Sequence, residues 1–202
     1  MGTDASSPLD ASLFDEASLW FRRARASLLE AIPCGRGCSE CCVGIFPITR
    51  LDARELRSGL DTLPTTQRDT IIARAVDHVS LIEASYPGLH STPSLDEWAD
   101  AAIDEMVEQF SHIPCPALGS DGSCQLYAFR PITCRTMGIP SEADGIVEGA
   151  CRVQTAVPLV RLSRALHIDS IRLAEREAVA LSKLGHNQRQ TGDELLLPYG
   201  FL

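Results

Sequence analysis

Eight cysteines stand in two blocks, Cys34, Cys38, Cys41 and Cys42, then Cys115, Cys124, Cys134 and Cys151. Both blocks lie in stretches that contain Pro and Gly and lack helical periodicity, while the segments between them read as helices and hold no cysteine. Thiols that merely filled a core would be scattered. The pattern therefore predicts a mainly α fold, a single helical domain with little or no sheet, in which two cysteine-rich loops converge on a metal or iron–sulfur site.

The rest of the composition narrows the uses of such a site. At 202 residues, 45% hydrophobic and 22% charged, the chain can bury a core without needing cross-links to fold. A net charge of −9, with Lys183 the single lysine, leaves no basic tract to neutralise phosphates, so nonspecific nucleic-acid binding is excluded. A neutral or cationic partner, protein or small molecule, fits better. The N-terminal MGTDASSPLDASLF has no basic region followed by an apolar run, and no apolar segment is long enough to span a bilayer, which predicts a cytoplasmic protein without a membrane partner. In that reducing compartment clustered thiols are metal ligands more often than disulfides.

Leu13, Phe14, Ala17, Trp20, Phe21, Ala24, Leu28 and Ile32 recur at helical spacing, predicting an amphipathic helix over about 11–31 that delivers the chain to the first block. Val43 to Thr49, interrupted by Pro47, suits a short edge strand or an extended segment, and Asp52 with Glu55 suggests a capping box for a helix ending near Gly59. Thr65 and Thr66 open a further helix that stops at Pro87 and Gly88, and 87–94 reads as a linker. Ser94 with Glu97 is another capping-box candidate, ahead of a Trp98, Ala102, Met106 and Phe110 stripe that reads as core. The last helical pattern runs over about 158–184, with a break near Asp169, Pro158 in its first turn and Gly185 at its C-cap, followed by a tail over 186–202. Glu142, Asp144 and Glu148 read as a solvated loop. One domain covers 1–202, with a metal-binding core over about 34–151.

The second block is the more distinctive. Cys115-Pro-Ala-Leu is followed by a Gly/Asp turn at 119–122, then by Cys124-Gln-Leu-Tyr127-Ala-Phe-Arg130-Pro131-Ile-Thr-Cys134-Arg135. The pattern CPxL, CxxYxxRPxxCR, preceded by a CxxCC element, resembles the YkgJ-like cysteine-cluster family over roughly 34–135. That family is described as a zinc- or iron-chelating domain and includes a flagellin lysine N-methylase group. The first block departs from the family's CxxCxxCC, because Cys34 stands four residues before Cys38. The resemblance implies a metal centre and, as an alternative activity, methyl transfer to a protein lysine. No glycine-rich methyl-donor loop after a strand accompanies it.

The chemistry stands beside the resemblance. Thiolates are soft ligands that select zinc or iron over magnesium or calcium, and all eight cysteines are candidate ligands to a [4Fe-4S] cluster or zinc, with iron–sulfur preferred. Cys41 and Cys42 are sequence neighbours whose side chains tend to diverge, so one of them is the more dispensable. Tyr127, Arg130 and Arg135 are the cofactor-side candidates; Tyr127 and Arg130, three residues apart, either clamp the loop or contact a substrate. Arg36 and Arg152 also stand close to cysteines, and His112 is the one histidine placed near a block. Thiol–disulfide chemistry at the CxxC is disfavoured for want of a strand-to-helix setting, and neither GxSxG nor GxxxxGK[ST] occurs. The expected function is a cysteine-cluster protein with a structural, electron-transfer or metal-handling centre.

Overall fold

The structure, a computed structural model, describes residues 8–26, 37–139, 141–143, 146–148, 162–187 and 192–202. Cys34, Cys151, Arg36, Arg152, Asp144 and Pro158 lie outside the described residues, as does the end of the first predicted helix. That helix forms as α1, Pro8–Ala26, and buries the predicted stripe of Leu13, Phe14, Ala17, Trp20 and Ala24. Each large apolar side chain so buried contributes about 2 kcal/mol.

The stripe packs on α6, Ile132–Thr136, and on α7, Arg164–Asn187. The indole Nε1 of Trp20 donates to the Leu166 carbonyl at 2.9 Å. Arg23 pairs with Asp169 at 2.6 Å, so the residue expected to break α7 anchors it to α1 instead. Gly185 does not cap α7, which continues to Asn187; a single helical glycine costs only about 1 kcal/mol, too little to end a helix already under way.

Thr49 closes β1, Pro47–Thr49, and in the same extended conformation caps α2, Arg50–Leu60. Its Oγ1 accepts from the Asp52 N–H at 3.3 Å while its own N–H donates to Asp52 Oδ2 at 3.1 Å. The capping box is thus Thr49 with Asp52, one turn earlier than Asp52 with Glu55. After α3, Thr65–Ser85, the expected stop at Pro87 and Gly88 occurs, but a short helix, α4, Gly88–Ser91, replaces half of the linker. α5, Asp100–Gln109, begins later than its predicted box, because Ser94 Oγ accepts from the Asp96 N–H at 3.2 Å in a tight turn and caps nothing. Met106 and Phe110 are core, and Trp98, ahead of the helix, meets Tyr86 edge-on with ring centroids 6.1 Å apart.

The chain is mainly helical, with two small antiparallel ladders among the described residues. β2, Ser141–Ala143, pairs with β3, Ile146–Glu148, so Glu142 and Glu148 lie on paired strands where a loop was expected. The other ladder joins β1 to β4, Glu194–Leu196, with Pro47 opposite Leu196 at the strand start, where a missing N–H costs least. β4 and the 3₁₀ turn Leu197–Phe201 correct the expectation of a tail: Leu195 and Leu196 are buried in β4, and Leu197, Tyr199 and Phe201 are buried in a turn that packs on α2 and α3. Gly200 permits that fit, since a Cβ there would sit 2.6 Å from Ile48 Cδ1. Among the described residues no helix is long and apolar enough to cross a membrane.

Candidate metal centre

The two cysteine blocks are joined through the backbone. Val43 bridges antiparallel to Pro114, with the Cys115 N–H donating to the Cys42 carbonyl at 2.7 Å and the Gly44 N–H to the Ile113 carbonyl at 2.7 Å. Gly44 holds φ at +104° with Ser111 O only 3.3 Å from where a Cβ would be, so the crossing requires glycine. Beyond Cys115 the chain folds back at the predicted Gly/Asp turn: Gly119 N–H donates to Ser123 O at 2.8 Å, Gln125 N–H to Ala117 O at 2.9 Å, and Asp121 Oδ1 accepts from Ser123 N–H at 3.0 Å. A 3₁₀ turn, Tyr127–Phe129, then leads to α6 and Cys134.

All six described cysteines, Cys38, Cys41, Cys42, Cys115, Cys124 and Cys134, line one cavity of about 170 Å³. That is on the order of ten times the room one water needs. Phe21, Phe46, Leu56, Leu197 and Phe201 supply apolar wall, Arg25, Arg130 and Arg135 supply positive charge, and no carboxylate or imidazole is in the described lining. His112 is exposed and takes no part in the lining.

The thiols sense one another across the two blocks. Cys41 and Cys42 share a hydrogen bond that pulls the Cys41 thiol down to about 6, helped by the charge of Arg130 and opposed by burial. The same bond pushes Cys42 up, with burial and the thiols of Cys41, Cys115 and Cys124 adding to it. Burial pushes Cys115 up to about 12, with Cys124 and Cys41 contributing, while the N–H groups of Ala117 and Leu118 favour its ionised form. Burial likewise raises Cys124, against an N–H from Leu126 and the charge of Arg130. Cys134 is likewise raised well above the ordinary thiol range, first by burial and then by Cys115 and Cys41. Among the described residues no three Cys, His, Asp or Glu side chains are gathered into a set that could hold an ion as they stand. The donor chemistry nonetheless suits a soft metal, since sulfur is the only strong metal-binding atom type in the described lining.

The arginines are spent on the loop. The Arg130 guanidinium lies 3.7 Å from the centre of the Tyr127 ring, and it donates to the carbonyls of Tyr127 at 3.0 Å and Cys134 at 3.4 Å. Arg135, buried, donates to the carbonyls of Arg130 at 2.6 Å and Ala128 at 2.5 Å, to Ser18 Oγ at 2.9 Å and to Glu55 at 3.4 Å. Both therefore hold the CxxYxxRPxxCR segment in shape. Asp52, unmarked as a site residue by its sequence context, holds it from below: its buried carboxylate accepts the Ile132 N–H at 2.8 Å, at the start of α6. Sequence reasoning also missed Phe21, Arg25, Leu197 and Phe201 in the cavity wall; the apolar run LLLPYGF was the available signal for the last two.

Comparison with known proteins returns no matching family model, no matching curated protein and no matching solved structure.

Proposed function

We propose that this protein is a metal-binding cysteine-cluster protein whose two loops converge on an iron–sulfur or zinc centre serving a structural, electron-transfer or metal-handling role. The observation that carries the reading is that every described cysteine lines one cavity with no carboxylate or imidazole in its described lining. Cys115, Cys124 and Cys134, with Cys38 and one of the Cys41 and Cys42 pair, supply the sulfur ligands. Backbone N–H groups at Ala117, Leu118 and Leu126 favour the thiolate forms of Cys115 and Cys124. When bound, such a centre supplies either a rigid cross-link between the loops or a site of one-electron exchange. The reading agrees with what the resemblance to YkgJ-like cysteine-cluster proteins implies.

Anaerobic purification followed by metal and acid-labile sulfide analysis tests it. Stoichiometric iron with sulfide, or stoichiometric zinc without it, supports the proposal and identifies the centre. Metal-free protein whose thiols all titrate freely, and which takes up neither zinc nor a reconstituted cluster, refutes it.

A further inference from the structure

The helix and the C-terminal segment that wall the cysteine cavity have a second side. Leu56, Leu197 and Phe201 face the thiols, whereas Arg50, Arg54 and Arg57, together with Tyr199, line a separate cavity of about 440 Å³ that shares no described lining residue with the first. The three arginines stand at i, i+4 and i+7 of α2, one face of the helix. Ser91 and Ser94 also line it.

In a chain of net charge −9, three guanidinium groups share one cavity in which Glu194 is the sole acidic residue of the described lining. Asp193 is engaged with Arg50 at 2.5 Å, which fixes that guanidinium in place. The Arg57 side chain is exposed and makes one long hydrogen bond among the described residues, to the Tyr199 carbonyl at 3.5 Å. A guanidinium carries five donors in a planar fork that matches the oxygens of a carboxylate or phosphate. Ala53, Leu184, Leu195 and the Tyr199 ring give the same cavity apolar surface, and its volume is in the range that takes a small organic ligand.

We propose that this cavity binds a small organic anion, with an oxyanion group on the arginine face of α2 and an apolar body against Leu195 and Tyr199. The purified protein, with its metal content measured in parallel, is titrated calorimetrically with phenyl phosphate, benzoate and inorganic phosphate. Saturable binding of phenyl phosphate or benzoate is expected, with the tighter of the two naming the oxyanion, and inorganic phosphate should bind more weakly for want of the apolar body. Arg57→Gln should weaken binding about tenfold, the loss expected for one charge-assisted hydrogen bond, and Arg57→Lys by less. Both variants should keep the parent's metal content and melting temperature, which separates loss of the site from loss of the fold. Flat titrations with all three probes, or unchanged affinity in both Arg54→Gln and Arg57→Gln, would overturn the proposal.

Discussion

Replacing Asp52 with alanine should unlatch α6 from α2. Asp52 is 1% exposed, and its two oxygens accept separate backbone donors, Ile132 N–H at 2.8 Å and Thr49 N–H at 3.1 Å. Alanine leaves both N–H groups in place without an acceptor, and each buried orphan costs about 1–3 kcal/mol. Part of this is returned, because burial raises the carboxyl pKa of Asp52 against the pull of those same hydrogen bonds and of Arg135, so removing the group also removes a desolvation cost. The net loss should be about 3 kcal/mol, or roughly 6–12 °C in Tm for a chain of this size. Urea unfolding at neutral pH measures it directly. Asparagine retains one acceptor and confronts the other N–H with a donor, so it should lose about half as much. Because Ile132 stands two residues before Cys134, a ligand of the proposed centre, the proposal adds that the alanine variant should hold metal less tightly. An Asp52→Ala midpoint within about 0.5 kcal/mol of the parent would refute the latch, since changes that small are what surface substitutions produce.

Cys134→Ser should strip metal from the protein far more than Cys42→Ser, because serine is a hard and poor ligand and Cys42 has an adjacent thiol to replace it; equal losses by elemental analysis would contradict the proposed ligand set. Arg130→Lys should lower thermal stability by about 1–2 kcal/mol and weaken metal retention, since lysine cannot both stack on Tyr127 and reach the carbonyls of Tyr127 and Cys134; intact melting and metal content would remove the clamp role. Glu177 accepts from Thr49 Oγ1 at 3.2 Å, and its carboxyl is pushed up to about 7 by burial and then by Asp52. With a folded pKa above the unfolded value near 4.5, its stabilising effect is fully present below about pH 4.5 and lost as pH rises through about 7. Glu177→Gln should therefore flatten the fall in urea midpoint between those limits, and an unchanged slope would show that another group governs it.

How much of this was legible in the sequence depended on periodicity. The stripe from Leu13 to Ala24 and the stop at Pro87 and Gly88 were readable because apolar spacing and helix breakers are local signals. The capping boxes misled because a Ser or Asp followed three residues later by Glu satisfies the pattern whether or not the chain enters a helix there. Thr49 won over Asp52 because β1 delivers it extended, and Ser94 lost because Asp96 engaged it first. The segment after Gly192 has no periodicity and carries Pro198 and Gly200, so it reads as a tail; its pairing with β1 is a contact remote in sequence that no local pattern encodes, as Thr49 opposite Glu194 and Ile48 opposite Leu195 illustrate. The cysteines themselves were visible, but not the wall around them, since Phe21, Leu56 and Phe201 come from three remote segments.

That remote wall gives α2 an unusual position. Most amphipathic helices divide into a buried apolar face and a solvated polar one. Here Asp52 and Glu55 serve the cysteine side, the first through the Ile132 N–H and the second through Arg135, while Arg50, Arg54 and Arg57 serve the other cavity. The C-terminal segment repeats the division, with Leu197 and Phe201 toward the thiols and Leu195 and Tyr199 toward the arginines. A shift of α2 against either neighbour would alter both cavities together, because the hydrogen bonds to Ile132 and Arg135 and the close fit of Gly200 over Ala53 and Leu56 leave it little freedom to move against one alone.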